Sequence, residues 1–128
     1  MPKLSERSLT QLKTCHPDLQ RLIQEVAVVF PIVVLEGHRT AERQAALVKS
    51  GASKTLNSLH LTEPSRAVDF APSEPVDWND TPRFYFLAGY IKGIAMKLGT
   101  TIRWGGDWDS DTNVVEERFK DLGHIELT

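Results

Sequence analysis

The longest apolar run of the chain, Val26 to Leu35, is split by Pro31. Proline has no backbone N–H and pushes the residue before it out of helical geometry, so this run cannot be one helix. It is also far short of the roughly 20 apolar residues needed to span a bilayer. Before the proline, Leu19, Leu22, Ile23 and Val26 recur at helical spacing. After it, IVVLE is a β-branched stretch suited to a buried strand, which ends at Gly37. Upstream, Ser5 and Ser8 can each cap a helix carrying Leu9 and Leu12, and His16-Pro17 breaks the pattern. Two short N-terminal helices are therefore expected, with Pro17 opening the second.

The rest of the chain alternates in the same way. Thr40 caps a helix over AERQAALVKS that stops at Gly51, and GASKTLNSLHLTEPSR has loop composition. AVDFA alternates as a strand does. Asp80 and Thr81 start a helix over PRFYFLAGYIKGIAMKLG, with Pro82 in its first turn and Gly99 after its end. TIRW reads as a strand, GGDWDSDTN as a loop, VVEERFK as a short helix and HIEL as a closing strand. This order predicts an α+β fold: one domain over residues 1–128, with a small, mainly antiparallel sheet covered by helices.

Charge and composition exclude several classes. The formal net charge is −2, and no run of Lys or Arg offers a basic surface, so nucleic acid is not an expected partner. Cys15 is the only cysteine and cannot form an internal disulfide. The polar N-terminus, MPKLSERSLTQLKT, lacks the apolar core of about 7–15 residues that a secretory signal requires. A soluble chain without a membrane anchor is expected.

The residues costliest to bury are those that carry chemistry. His60 lies in a Ser-x-His triplet within a polar loop, Asp69 in an otherwise apolar strand, and His124 at the start of the last strand. Two imidazoles and one carboxylate are the ligand set of a catalytic zinc site, which keeps a fourth position open. On residue types alone, core histidines and a strand Asp bonded to a nearby loop account for the same residues.

The segments EGHRTAERQAALVKSGASKTLNSLHL, RAVDFAP and RWGGDWDSDTNVVEERFKDLGHIEL carry four features in order. They are an Arg followed five residues later by Gln, Ser-x-His, Ala-Val-Asp, and a terminal Asp-x-x-His-x-Glu. Together they resemble the zinc D,L-peptidases of the D-Ala-D-Ala carboxypeptidase and L-alanyl-D-glutamate endopeptidase superfamily, in particular its single-domain bacteriophage endolysins. The resemblance runs from about Leu12 to Leu127. It implies zinc held by His60, Asp69 and His124 in a cleft, with Asp121 as the general base. Arg39, Gln44 and Ser58 match its substrate-binding positions. The interval from His60 to Asp69, LTEPSRAV, is longer than the family's usual spacing and lacks its glycine.

Glu126 rivals Asp121 as the base, because residues two apart on a strand share a face, so Glu126 points with His124. Asp121 reaches the metal only if Leu122 and Gly123 turn. Glu126 is then a partner that orients a ligand. His38 is read as packing or cleft lining, and His16 as structural. Asp107, Asp109 and Asp111 alternate like the first half of a calcium loop, although Thr112 stands where such a loop has glycine, and Glu116 and Glu117 fall just short of the usual closing acid. A solvated acidic loop is the first reading of these residues; a regulatory calcium site is the alternative.

The function implied is zinc-dependent hydrolysis of the L-alanyl-D-glutamate bond in the peptidoglycan stem. D-alanyl-D-alanine cleavage in the same site, or a non-catalytic zinc-stabilised wall-binding module, are the alternatives. A monomer is expected, accumulating in the host cytoplasm and reaching the wall after the membrane is permeabilised.

Overall fold

In the computed structural model, residues 4–53, 55–115 and 120–128 are described. The first helix, α1 (Glu6–Leu12), is capped by Ser5, whose side chain accepts from the Ser8 N–H. Pro17 opens α2 (Pro17–Val29), and the His16 ring caps it by accepting from the Asp18 N–H at 3.1 Å. His16 is thus structural, as expected. Pro31 leads into β1 (Ile32–Glu36), and Thr40 caps α3 (Ala41–Lys49). A 3₁₀ turn over Leu59–Leu61 precedes β2 (Ala67–Pro72). Asp80 caps α4 (Thr81–Leu98), which ends in a left-handed Gly99 at φ 73°. Two strands close the chain, β3 (Ile102–Gly105) and β4 (Asp121–Leu127). The helix expected over VVEERFK falls mainly on residues 116–119, outside the described residues.

The four strands form one sheet in the order β1-β2-β4-β3, with every neighbouring pair antiparallel. This is the small antiparallel sheet the sequence predicts. Alternation along the strands divides the molecule. Val68 and Phe70 of β2, Ile125 and Leu127 of β4, and Ile102 and Trp104 of β3 are buried in the core. There they join Leu19, Leu22, Ile23 and Val26 of α2 and Leu87, Ala88, Ile91 and Ala95 of α4. The intervening Asp69, His124 and Glu126 line a cleft, so one face of the sheet builds the core and the other carries polar chemistry. Among the described residues no helix is long and apolar enough to cross a membrane.

β4 departs from the expected HIEL strand. It begins three residues earlier, at Asp121, and its register against β3 slips, pairing Gly105 with Asp121 but Trp104 with Ile125. The additional residues bulge out of β4. Both flanking glycines are required by close approach. A Cβ on Gly105 would collide with the Asp121 carbonyl, and one on Gly123 with the Phe70 carbonyl. Gly105→Ala is therefore expected to destabilise the fold by about 1–3 kcal/mol, as overpacking does. It should also cut activity, because the displaced residue is Asp121. Denaturant unfolding with a parallel activity assay checks this.

Candidate active site

Direct pairing of β2 with β4 sets Asp69 opposite His124, so their side chains meet on one face. The third member arrives from the 3₁₀ turn, where Ser58 caps the His60 N–H and the His60 carbonyl accepts from the Arg39 N–H at 2.8 Å. His60 Nε2 lies 3.1 Å and His124 Nδ1 3.0 Å from the same Asp69 oxygen, Oδ1. Both histidines are buried. The longer interval between His60 and Asp69 does not spoil the convergence. Its extra residues fold back on themselves, the Arg66 N–H reaching the Leu59 carbonyl and the Thr62 hydroxyl.

The outer nitrogens decide what this trio can hold. His60 Nδ1 stands 2.6 Å from the Gly37 carbonyl and His124 Nε2 2.8 Å from Glu126 Oε1. A carbonyl and a carboxylate can only accept, so each outer nitrogen donates, and each inner nitrogen presents a lone pair once a cation takes the place of the proton it shares with Asp69. Two lone pairs and a carboxylate oxygen aimed at one point are a donor set for a divalent metal, and the three ligand atoms lie within 4.8 Å of one another. Burial alone would raise the Asp69 carboxyl, but hydrogen bonds and charge from His124 and His60 hold it below the usual range. The negative charge that a cation needs is therefore retained.

A cavity of about 430 Å³ opens over this trio, lined also by Arg39, Ser58, Trp108, Asp121 and Glu126. Asp121 stands in its wall because of the bulge in β4. Burial raises its carboxyl, more than the nearby His124 lowers it. Among the described residues that carboxylate accepts no hydrogen bond, whereas Glu126 is spent on His124. The Trp108 ring packs 5.6 Å from that of His124.

Arg39 is buried and largely committed. Its Nε and Nη2 donate to Glu36 Oε1 at 3.1 and 2.7 Å, Nη1 to Gln44 at 2.8 Å and Nη2 to Asp69 Oδ2 at 2.9 Å. One N–H of a guanidinium's five remains for a substrate. Gln44 is buried behind it and holds the following loop by donating to Ser53 and the Thr55 carbonyl. Gln44 is not in the cavity wall; Ser58 is. His38 turns to Glu63, 3.0 Å away, and to the Thr62 carbonyl, and supplies no metal ligand. Sequence reasoning missed Glu36, which clamps Arg39 with one oxygen and Arg43 with the other. The i,i+3 and i,i+7 spacing of that acid to the two arginines was its only signal.

In the acidic loop, oxygens of Asp107, Asp109 and Asp111 lie within 4.8 Å of one another. Asp107 is 3% exposed. Its Oδ2 accepts from the Thr112 N–H, while Oδ1 is buried with no hydrogen-bond partner among the described residues. Thr112 itself takes the left-handed conformation, φ 69°, at the position where a calcium loop has glycine. Glu116 and Glu117 lie outside the described residues.

Comparison with known proteins agrees with this geometry. The family model described as phage L-alanyl-D-glutamate peptidase matches residues 1–128. The L-alanyl-D-glutamate peptidase of Escherichia phage T5 is 30% identical over 135 residues, covering 98% of this chain and 97% of that protein. The crystal structure of the Serratia marcescens L-Ala D-Glu endopeptidase ChiX superposes with a TM-score of 0.78 at 33% identity. That match covers 96% of this chain and 87% of the other. With a metal-ligand trio at the floor of a cleft and a match along its whole length, the chain belongs to the phage L-alanyl-D-glutamate peptidase family.

Proposed function

We propose that the protein is a zinc-dependent peptidoglycan endopeptidase that hydrolyses the L-alanyl-D-glutamate bond of the stem peptide. The observation that carries this is the convergence of His60 Nε2, Asp69 Oδ1 and His124 Nδ1 below a cleft whose wall holds Asp121. Two neutral imidazoles and one carboxylate suit zinc, which when bound supplies a Lewis acid for the scissile carbonyl and the attacking water.

The chain's own residues do the rest. Asp121 takes the proton of the attacking water and returns it to the leaving amine; its raised affinity for a proton suits both transfers. Arg39 holds Asp69 in place and keeps one N–H to fix the peptide and steady the charge developing on its carbonyl oxygen. Glu126 and the Gly37 carbonyl hold the two imidazoles in the required tautomer. Ser58 sets the turn that carries His60. The test is digestion of purified Gram-negative peptidoglycan by the zinc-loaded chain, reading new amino groups and fragment masses. Free amino groups on D-glutamate are expected. Release of D-alanine instead would assign the other bond, and release of nothing would leave a wall-binding module.

The acidic loop is a calcium site in this reading, supported by a buried Asp107 oxygen without a partner among the described residues and by the convergence of Asp107, Asp109 and Asp111. Millimolar calcium, the range of weak extracellular modules, should raise lytic activity of the wild type and leave Asp109→Ala unchanged. Activity indifferent to calcium and to its chelators would return the loop to a solvated surface.

We further propose a monomer that waits in the host cytoplasm and meets the wall once the membrane is permeabilised. Sedimentation of the purified chain tests the first part. Expressing cells that lyse only after a permeabilising agent is added would bear out the second.

A further inference from the structure

A second cavity, of about 360 Å³, adjoins the first. Glu36, Arg43, Asp69 and Asp121 line both, so the cleft continues past the metal-ligand trio instead of ending at it. Its far walls come from other elements: Arg7 and Gln11, one turn apart on α1, and Trp78 before α4. Of the three acids that line it, Asp121 is the base and the other two are already engaged. Asp69 is held by His60, His124 and Arg39, and Glu36 is divided between Arg39 and Arg43. The cations are less fully engaged. Arg7 is exposed and forms no ion pair among the described residues. Arg43, 54% exposed, meets Glu36 only through Nε, at 3.3 Å, which leaves its Nη groups free among the described residues. Trp78, 60% exposed, stacks on Phe84 and presents an apolar rim beside them.

We propose that this second arm is an anion subsite in which Arg7 and Arg43 bind the free carboxylate of the D-glutamyl residue. The proposal rests on the reading of the enzyme as an L-alanyl-D-glutamate endopeptidase. A glutamyl residue acylated on nitrogen has two carboxyl groups; one continues the stem and the other remains an anion next to the scissile bond. Asp121 hands its proton to the glutamyl amine and lines both cavities, so the leaving half extends naturally into the second arm, with the alanyl half in the first. Charge-assisted bonds from two guanidinium groups then distinguish a carboxylate from an uncharged amide at that position.

Two peptides containing the L-alanyl-D-glutamyl bond, identical except that the free glutamyl carboxyl is amidated in one, test the assignment on the zinc-loaded full chain. The wild type should prefer the carboxylate peptide by about tenfold or more in kcat/KM. Arg7→Gln and Arg43→Gln should each lose about tenfold on that peptide, mainly through KM, and stay within about twofold on the amide, as the loss of a bond to a charged group predicts. Arg43→Lys should recover part of the preference, which a fold defect would not allow. Equal rates on both peptides in the wild type, or equal losses on both in the variants, would overturn the subsite. Calorimetric binding to Asp121→Asn separates the two readings. If neither peptide is cleaved yet the carboxylate form still binds about tenfold tighter, the peptidase reading fails and the anion subsite stands; equal binding overturns the subsite.

Discussion

His60→Ala and His124→Ala are each expected to yield a protein without stoichiometric zinc and without measurable hydrolysis. Each substitution removes one of three donors, and those remaining cannot form a closed site. After His60→Ala, Asp69 keeps Arg39 and His124 as partners and collapses into that ion pair. After His124→Ala, Glu126 loses the N–H it accepts from and is left half-buried and unpaired. Elemental analysis of the purified variants gives the metal content, and peptidoglycan digestion gives the activity. Full zinc in both variants would refute the ligand assignment. The three donors come from the 3₁₀ turn, β2 and β4, so no such site exists in the unfolded chain and binding is coupled to folding. Chelation of the wild type should accordingly lower its melting temperature, and zinc should restore it.

What the sequence reveals and what it hides follow from the range of the interactions involved. Helix boundaries at Pro17, Thr40, Asp80 and Gly99 are local, and the structure has them where the capping residues stand. Asp69 as an acid in an apolar strand is legible from alternation alone. That His124 would lie directly opposite it is a matter of register between strands 55 residues apart, and only the family resemblance supplied it. The start of β4 is not legible locally, because Gly123 in the sequence suggests a turn between Asp121 and the strand. Asp121 is inside the strand, and a bulge set by contact with Gly105 does the work assigned to that turn. Arg39 was recognisable as a functional cation, but its commitment to Glu36, Gln44 and Asp69 depends on the slip in register between Val34 and Glu36, which no linear pattern encodes.

Asp121→Asn should keep zinc, fold and substrate affinity while losing about 10²–10⁴-fold in rate, the contribution typical of a positioned general base. An amide of the same size fills the same place in the cleft wall but cannot accept the water's proton. The carboxylate it replaces accepts no hydrogen bond among the described residues, so no structural contact is forfeited. The loss should fall on kcat and kcat/KM alike, since the interaction is made only in the transition state. Glu126→Gln should be far milder. The substituted amide can still accept from His124 Nε2 through its carbonyl oxygen, so the imidazole keeps its orientation and loses only the charge behind it. Steady-state kinetics on a stem peptide, with zinc content measured on the same preparations, separate the two residues. A dead Glu126→Gln beside an active Asp121→Asn would transfer the proton to Glu126. The bulge in β4 would then be a feature of the fold and not of the chemistry.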